Sequence, residues 1–167
     1  MEIRIECGKA KDKFVSDCFL LARLEFSEDE MTVTVEGPRG ASCSVVCQIW
    51  EHTVYELENL AVALKVAGQG RLDDKLRVKA SNVLIGPEIT LMRALSVGLG
   101  QPLPGKTGTR AEFICSAANS GFAKRRLVFL DVICGRCGAQ MAMEVEEALR
   151  LSEVLYGQAR ALARDFL

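Results

Sequence analysis

Two cysteines in the last third of the chain have the spacing of metal ligands. Cys134 and Cys137 stand in the sequence Cys-Gly-Arg-Cys-Gly, a spacing with which one tight turn can aim two thiolates at a shared Zn²⁺. Two thiolates supply only half of a tetrahedral zinc site, and no second Cys-x-x-Cys pair exists among the seven cysteines. We therefore predict a plain hairpin turn without metal, and a small zinc-knuckle site at Cys134 and Cys137 is the alternative.

A second stretch has the spacing of a phosphate-binding loop. Gly100, Gly105, Lys106 and Thr107 match the Walker A pattern, and Asp131 follows an apolar run as in a Walker B strand, so both stretches resemble P-loop nucleotide-binding proteins. A proline before the second glycine removes one backbone N–H donor. The strands predicted before the motif alternate, whereas a P-loop protein needs a parallel, continuously apolar sheet. We interpret the stretch as a Gly/Pro-rich loop and predict no cofactor, with nucleotide binding by these residues as the alternative.

The remaining polar residues do not form a recognisable catalytic set. His52 is the only histidine and lies beside Trp50 and Glu51, at the predicted start of a helix. A single histidine in this position is more often a helix-terminal residue than a general base. No pair of carboxylates stands out, and no serine has the context of a nucleophile elbow. The sequence therefore favours a protein that is not an enzyme.

Alternating apolar and polar residues predict strands on both sides of one long helix. Short turns separate the first four runs, which indicates an antiparallel meander because parallel neighbours need long crossovers. Segment 111–120 fits either a strand or a short helix. The predicted fold is a single α+β domain, residues 1–167, with a largely antiparallel sheet packed by a central helix and a C-terminal helix. The predicted strands are residues 2–7, 20–26, 31–36, 43–49, 75–80, 89–97, 113–117, 127–134 and 141–145.

The central helix is predicted over residues 53–67. Leu57, Leu60 and Leu64 repeat at helical spacing on one face. Thr53 and Glu56 have the spacing of a capping box, and two glycines after residue 67 predict the end of the helix. A closing helix is predicted over residues 146–167. Its apolar stripe is Ala148, Leu151, Leu155, Ala159, Leu162 and Phe166.

Composition and charge narrow the classes of partner and the compartment. The net charge is −1, so no strong overall field attracts nucleic acid or an acidic membrane surface. The N-terminal residues do not have the layout of a secretory signal, and no apolar run is long enough to span a bilayer. Seven cysteines, several of them within apolar strand patterns, favour reduced thiols rather than a disulfide scaffold. We expect a cytoplasmic protein that binds neither nucleic acid nor membrane.

The order of elements resembles small bacterial immunity proteins of the WapI type and related uncharacterised α+β families. The resemblance rests on a helix opening with Thr53-x-x-Glu56-Leu57, placed after a β-meander and before further strands and a C-terminal helix. It implies a protein that binds and occludes a toxin, without a cofactor. It assigns no functional residue.

The sequence also suggests where a partner protein would bind. Ser27, Glu28, Asp29 and Glu30 form a predicted acidic turn, which could attract a basic partner and speed association. Trp50 is a candidate anchor if its side chain is exposed. The Gly/Pro-rich loop 98–109 is a further candidate contact region.

Overall fold

The computed structural model describes residues 1–6, 21–37, 40, 42–70, 77–79, 88–91, 95–99, 110–120, 125–134 and 137–166. This part of the chain forms two antiparallel sheets and two long helices. The predicted α+β class is therefore confirmed. The strands are β1 (Glu2–Glu6), β2 (Leu21–Phe26), β3 (Glu30–Glu36), β4 (Ser42–Gln48), β5 (Arg77–Lys79), β6 (Glu88–Leu91), β7 (Leu95–Leu99), β8 (Ala111–Ser120), β9 (Arg125–Cys134) and β10 (Cys137–Glu144). The helices are α1 (Glu51–Gln69) and α2 (Val145–Ala163), and α2 is followed by a 3₁₀ turn (Arg164–Phe166).

The first sheet, sheet A, is the predicted meander. Its strand order is β1-β2-β3-β4, and every neighbouring pair is antiparallel. The alternating sequence puts one set of apolar side chains on the inner face, as the period of two requires. The buried residues of that face are Ile3, Ile5, Ala22, Leu24, Met31, Val33, Val35, Val45 and Cys47.

The second sheet, sheet B, has the order β10-β9-β8-β6-β5, and β7 also pairs with β8. Segment 111–120 is the long strand β8, so the helical alternative for it is wrong. The strand predicted over 89–97 is two strands, β6 and β7, which pair with opposite ends of β8. The pairing of Cys134 with Cys137 confirms the predicted hairpin between β9 and β10.

Sheet A and the two helices pack against the same face of sheet B. At the C-terminal end of β9, the Cys134 thiol donates a hydrogen bond of 3.5 Å to the carbonyl of Val33 in sheet A. At the other end of β9, the Arg126 guanidinium donates to the carbonyls of Gly68 and Gly70, at the C-terminus of α1. One cluster of buried side chains joins residues of both sheets and both helices. Sheet A and both helices thus pack against the long strands of sheet B.

The two helices approach closely where one of them has a glycine. A Cβ atom added to Gly68 would lie 3.3 Å from Leu149 of α2. The Ser152 hydroxyl of α2 donates a hydrogen bond of 2.6 Å to the Ala61 carbonyl of α1. Gly68 was predicted to end α1, but it lies inside the helix, and the helix ends at Gly70, whose N–H donates to the Val66 carbonyl. The glycine at 68 therefore serves helix packing rather than helix termination.

The start of α1 also differs from the prediction. The helix begins at Glu51, two residues earlier than expected, with Trp50 in the capping position. Thr53 is therefore the third helical residue, and its hydroxyl accepts the backbone N–H of Trp50 at 2.9 Å. The predicted capping box of Thr53 with Glu56 is wrong, because the threonine hydroxyl binds backward rather than forward along the chain. The predicted apolar face of α1 is confirmed, since Leu57, Leu60 and Leu64 are fully buried.

The closing helix has its predicted stripe except at its last position. Ala148, Leu151, Leu155, Ala159 and Leu162 are buried, whereas Phe166 is 43% exposed. Phe166 lies in the 3₁₀ turn after α2, where the helical period of 3.6 residues no longer holds. Neither helix in the described part of the chain has the length and apolar composition needed to cross a membrane.

Leu60→Ala is expected to lower the free energy of unfolding by about 2–5 kcal/mol, because it leaves a cavity in the core under α1. Urea denaturation of the purified variant measures this. Val62→Ala is the matched control on the same helix, since Val62 is half exposed, and it should change stability by about 0.5 kcal/mol or less. Equal stability of both variants would contradict the packing of α1 described above.

Candidate functional site

The acidic turn predicted over residues 27–30 is a closed and exposed hairpin turn. The Ser27 N–H donates to the Glu30 carbonyl at 2.8 Å, and the Ser27 hydroxyl accepts the Glu30 N–H at 3.2 Å. The side chains of Ser27, Glu28, Asp29 and Glu30 are exposed. Because the backbone is fixed by its own hydrogen bonds, a partner that binds this turn pays little entropy to order it.

The structure brings the acidic turn next to Trp50. Glu30 and Gln48 are the terminal residue pair of the β3–β4 ladder, and the Ile49 N–H donates to the Asp29 carbonyl at 2.8 Å. The residue after Ile49 is Trp50, so the turn and the tryptophan lie at the same end of sheet A. We call Ser27, Glu28, Asp29, Glu30 and Trp50 together the Trp50 surface.

Trp50 has a fixed backbone and a side chain that solvent can reach. Its N–H is bound by the Thr53 hydroxyl, and its carbonyl accepts the Thr53 N–H at 2.9 Å. The side chain is 43% exposed. Its ring stacks on the ring of His52, with 6.4 Å between the centroids and an interplanar angle of 24°. His52 is the second residue of α1, whereas the helix was predicted to begin after it, at residue 53.

Two exposed apolar side chains near the Trp50 surface, those of Met1 and Tyr55, escaped the sequence analysis. Phe26 precedes the acidic turn, and its N–H donates to the carbonyl of Met1, whose side chain is exposed. Tyr55 is 58% exposed and lines a pocket of about 190 Å³ with Glu51 and Phe166. The helical period alone could have predicted that Tyr55 is exposed, because it lies off the apolar face that contains Leu57. The proximity of Phe166 to Tyr55 depends on tertiary packing.

The strands that flank the Walker-like segment are not arranged as in a P-loop protein. Gly100, Gly105, Lys106 and Thr107 lie outside the described residues. The strands on either side of that segment, β7 and β8, are antiparallel neighbours, and Leu99 pairs with Ala111. A P-loop instead joins a strand to a helix within a parallel sheet. The segment therefore connects two adjacent antiparallel strands.

Asp131 lies in the middle of β9, with both neighbouring strands antiparallel to it. Its cross-strand neighbour on β10 is Gln140. Burial raises the pKa of Asp131, and a hydrogen bond from the Gln140 side chain partly offsets this effect. The carboxylate does not lie at the carboxyl end of a parallel strand, where a Walker B aspartate would meet a magnesium ion.

Cys134 of the alternative zinc site is a buried, protonated thiol. Its Sγ donates to the Val33 carbonyl, and burial raises its pKa to about 11, with a further contribution from nearby Cys47. Cys137 pairs with Cys134 across the hairpin, but its side chain is outside the described part. Among the residues that the structure describes, no group of three or more histidine, cysteine or acidic side chains is arranged to hold a metal ion.

The other described cysteines fall into two classes. Cys47 and Cys115 are buried thiols, and burial raises the pKa of Cys47 to about 11 and that of Cys115 to about 12. Both were expected to be reduced thiols. Cys43 is disulfide-bonded, so the expectation of reduced thiols is wrong at this position. The alternation of apolar and polar residues in a strand does not distinguish a reduced cysteine from one that forms a disulfide.

Searches against protein-family models, curated proteins and solved structures give no match.

Titration with ATP and magnesium is expected to show no binding, because the strands that flank segment 100–109 are antiparallel. Isothermal titration calorimetry on the wild type and on Lys106→Ala is the measurement. A micromolar affinity that Lys106→Ala abolishes would make the Walker-like residues a nucleotide site despite the antiparallel frame.

Iodoacetamide at pH 8 is expected to leave Cys47, Cys115 and Cys134 unmodified in the folded protein. Their pKa values of about 11 to 12 keep them protonated, and the thiolate is the reacting form. Peptide mass spectrometry reads the labelling, and the urea-unfolded chain is the control that should react at all three positions. Rapid labelling of any of them in the folded protein would point to a reactive thiol.

Proposed function

We propose that this protein is a non-catalytic protein-binding module, and that the Trp50 surface is where its partner binds. The observation that carries the proposal is the 2.8 Å hydrogen bond from the Ile49 N–H to the Asp29 carbonyl, which holds the acidic turn beside an exposed tryptophan. Two regions that are separate in sequence thus lie at the same end of sheet A.

The chemistry of this surface favours a basic protein as the partner. Glu28, Asp29 and Glu30 are exposed, and the adjacent first residue of α1, Glu51, is exposed as well. Acidic side chains around one contact area raise the association rate of a basic partner through long-range attraction. A tryptophan within such a patch supplies apolar contact area at low cost in side-chain entropy.

The described side chains offer little that would serve catalysis. The thiols of Cys47, Cys115 and Cys134 are buried, and burial holds their pKa values well above neutral pH. The Ser152 hydroxyl is buried and hydrogen-bonded to α1, so it acts as a link between the helices. His52 stacks on Trp50. These observations support binding over catalysis.

The layout resemblance gives the proposal its more specific form. A cytoplasmic immunity- or antitoxin-like protein would use the Trp50 surface to cover a basic region of a toxin. The fixed turn and the anchored tryptophan backbone suit stoichiometric occlusion, because a preformed surface loses little entropy on binding. The neighbouring gene in the source genome should then encode the toxin.

Trp50→Ala is expected to weaken binding to the partner by about 30-fold in Kd, the loss typical of an aromatic hot spot worth ~2 kcal/mol. The partner is first captured from the native host with the immobilised wild-type protein and then purified. Isothermal titration calorimetry on the purified pair gives the affinity. Val66→Ala is the control, because Val66 is an exposed apolar residue on the same helix and outside the surface.

Stopped-flow measurement of association at several salt concentrations, on the same purified pair, tests the electrostatic part of the proposal. Glu28→Lys should lower the association rate constant and reduce its dependence on salt, whereas Glu112→Lys, at an exposed position in β8, should leave both unchanged. Equal affinities for the wild type and Trp50→Ala would reject the proposed surface. Turnover of a small molecule by the wild type would reject the non-catalytic function.

A further inference from the structure

A small pocket lies between the start of α1 and the end of α2. Its lining residues are Glu51, Val54, Tyr55, Glu58, Ala163 and Phe166. The four residues from α1 repeat at i, i+3, i+4 and i+7, so they share one face of the helix. The volume of about 190 Å³ is below the range of about 300–1,000 Å³ that is usual for small-molecule sites. We call this site the Tyr55 pocket, and its size suits a single side chain of another molecule.

The Tyr55 pocket combines aromatic rings with carboxylates. The side chains of Tyr55 and Phe166 are exposed, so solvent reaches both rings. Glu51 is exposed and Glu58 is half-buried. Within the part of the chain that the structure describes, neither carboxylate has an ion-pair partner. A ring face attracts a cation through its quadrupole, and a carboxylate attracts it through its charge. The lining therefore favours a cationic group.

The arginines and the lysine described on the two helices lie outside the lining of this pocket. Arg160 and Lys65 line the neighbouring groove between the helices, and Arg150 lines a different cavity beside β1. Arg164 and Asp165 are exposed in the 3₁₀ turn after α2, where they carry opposite charges. The described lining thus has two carboxylates and no basic side chain. Its charge is complementary to that of a lysine or an arginine.

The other tyrosine of the helix pair already has a cation of its own. The Arg160 guanidinium lies over the Tyr156 ring, 5.3 Å from its centroid. Arg160 follows Tyr156 by four residues, so one turn of α2 brings the cation to the ring. Around Tyr55 the corresponding positions hold Glu51 and Asn59. The helix that carries Tyr55 therefore places no lysine or arginine beside this ring, and among the described side chains none lies over it.

We propose that the Tyr55 pocket binds one lysine or arginine side chain of the partner protein. For the source of this cation the inference rests on the proposed function, since Glu51 lines the pocket and directly follows Trp50 in the chain. The cationic end lies against the rings of Tyr55 and Phe166, with Glu51 and Glu58 beside it. The methylene groups contact the apolar part of the lining. The bound group meets side chains, because the N–H groups of α1 beyond its first turn are bonded within the helix.

Titration of the isolated protein with Nα-acetyl-lysine N-methylamide, and separately with the arginine analogue, tests the pocket without any partner. The chain has two tyrosines, so tyrosine-selective isotope labelling gives NMR ring signals from Tyr55 and, as an internal reference, from Tyr156. At least one of the two cations should shift the Tyr55 signals saturably and leave those of Tyr156 in place. The lysine analogue acetylated at Nε is neutral, and it should bind about fivefold more weakly or worse.

Two variants test the two kinds of lining group. Tyr55→Leu keeps an apolar side chain but removes the ring, and Glu58→Gln removes a charge with little change of shape. Each should weaken binding of the cation by about threefold to fivefold, read from the backbone amide signals of residues 54–58. Tyr156→Leu and Glu153→Gln are the matched controls, because both residues line the neighbouring groove, and they should leave the affinity unchanged. Circular dichroism checks that every variant is folded.

Equal binding of the neutral analogue would overturn the proposal, and so would unshifted Tyr55 signals at the highest soluble concentration of either cation. The origin of the cation is tested on the purified pair. Tyr55→Leu should weaken partner binding by about fivefold and Tyr156→Leu should not, whereas an unchanged Kd for Tyr55→Leu would overturn the assignment of the cation to the partner. The proposed function fails separately, if Trp50→Ala leaves the affinity unchanged, because the titration contains no partner.

Discussion

Burial of the inner face of β8 and β9 is the interaction on which the rest of the structure depends. Each of these strands has ten residues, so the pair is about 33 Å long at the usual rise per residue. Phe113, Cys115, Leu130 and Val132 make this face apolar along its length. Two different layers, sheet A and the helix pair, cover this long face. Hydrogen bonds such as that from Cys134 to Val33 mark the contacts, but apolar burial supplies most of the stabilisation.

The same packing decides which parts of the chain remain at the surface. Sheet A buries its inner face on sheet B, while the turn before β3 and the segment after β4 project at one end of the meander. The register of β3 with β4 puts these two segments side by side. The Trp50 surface therefore follows from strand pairing, and its backbone is hydrogen-bonded at the end of the sheet. On the other side, Gly68 lets the two helices pack closely.

Local pattern was enough to predict most of the elements, because alternation and the helical period directly reflect burial. The meander, the apolar stripe of α1 and the hairpin after Cys134 were predictable for this reason. The start of α1 was not predictable in this way. A threonine hydroxyl can hydrogen-bond the backbone at a helix N-terminus either from the capping position or, as Thr53 does, from the third helical position. The division of segment 89–97 into β6 and β7 depends on pairing with both ends of β8, which no local pattern encodes.

The candidate site was predictable in its parts but not in its assembly. The acidic turn and Trp50 could be named from residue type and position alone. Their proximity required the register that pairs Glu30 with Gln48, and the exposure of Trp50 required the packing of the whole sheet. For the zinc-like and Walker-like motifs, in contrast, the sequence suggested sites that the surrounding strands do not support. Spacing suggested chemistry, but antiparallel strands surround Asp131, and Cys134 is a buried thiol bound to Val33.

Hydrogen–deuterium exchange of the chain, alone and in complex with the partner captured from its native host, tests the central claim most directly. The account predicts new protection confined to the backbone amides of residues 27–30 and 49–52, where the acidic turn meets Trp50. The inner strands should be unchanged, since they are already protected in the free protein. Protection centred on segment 100–109 or on the β9–β10 hairpin, with residues 27–30 and 49–52 unaffected, would contradict the account.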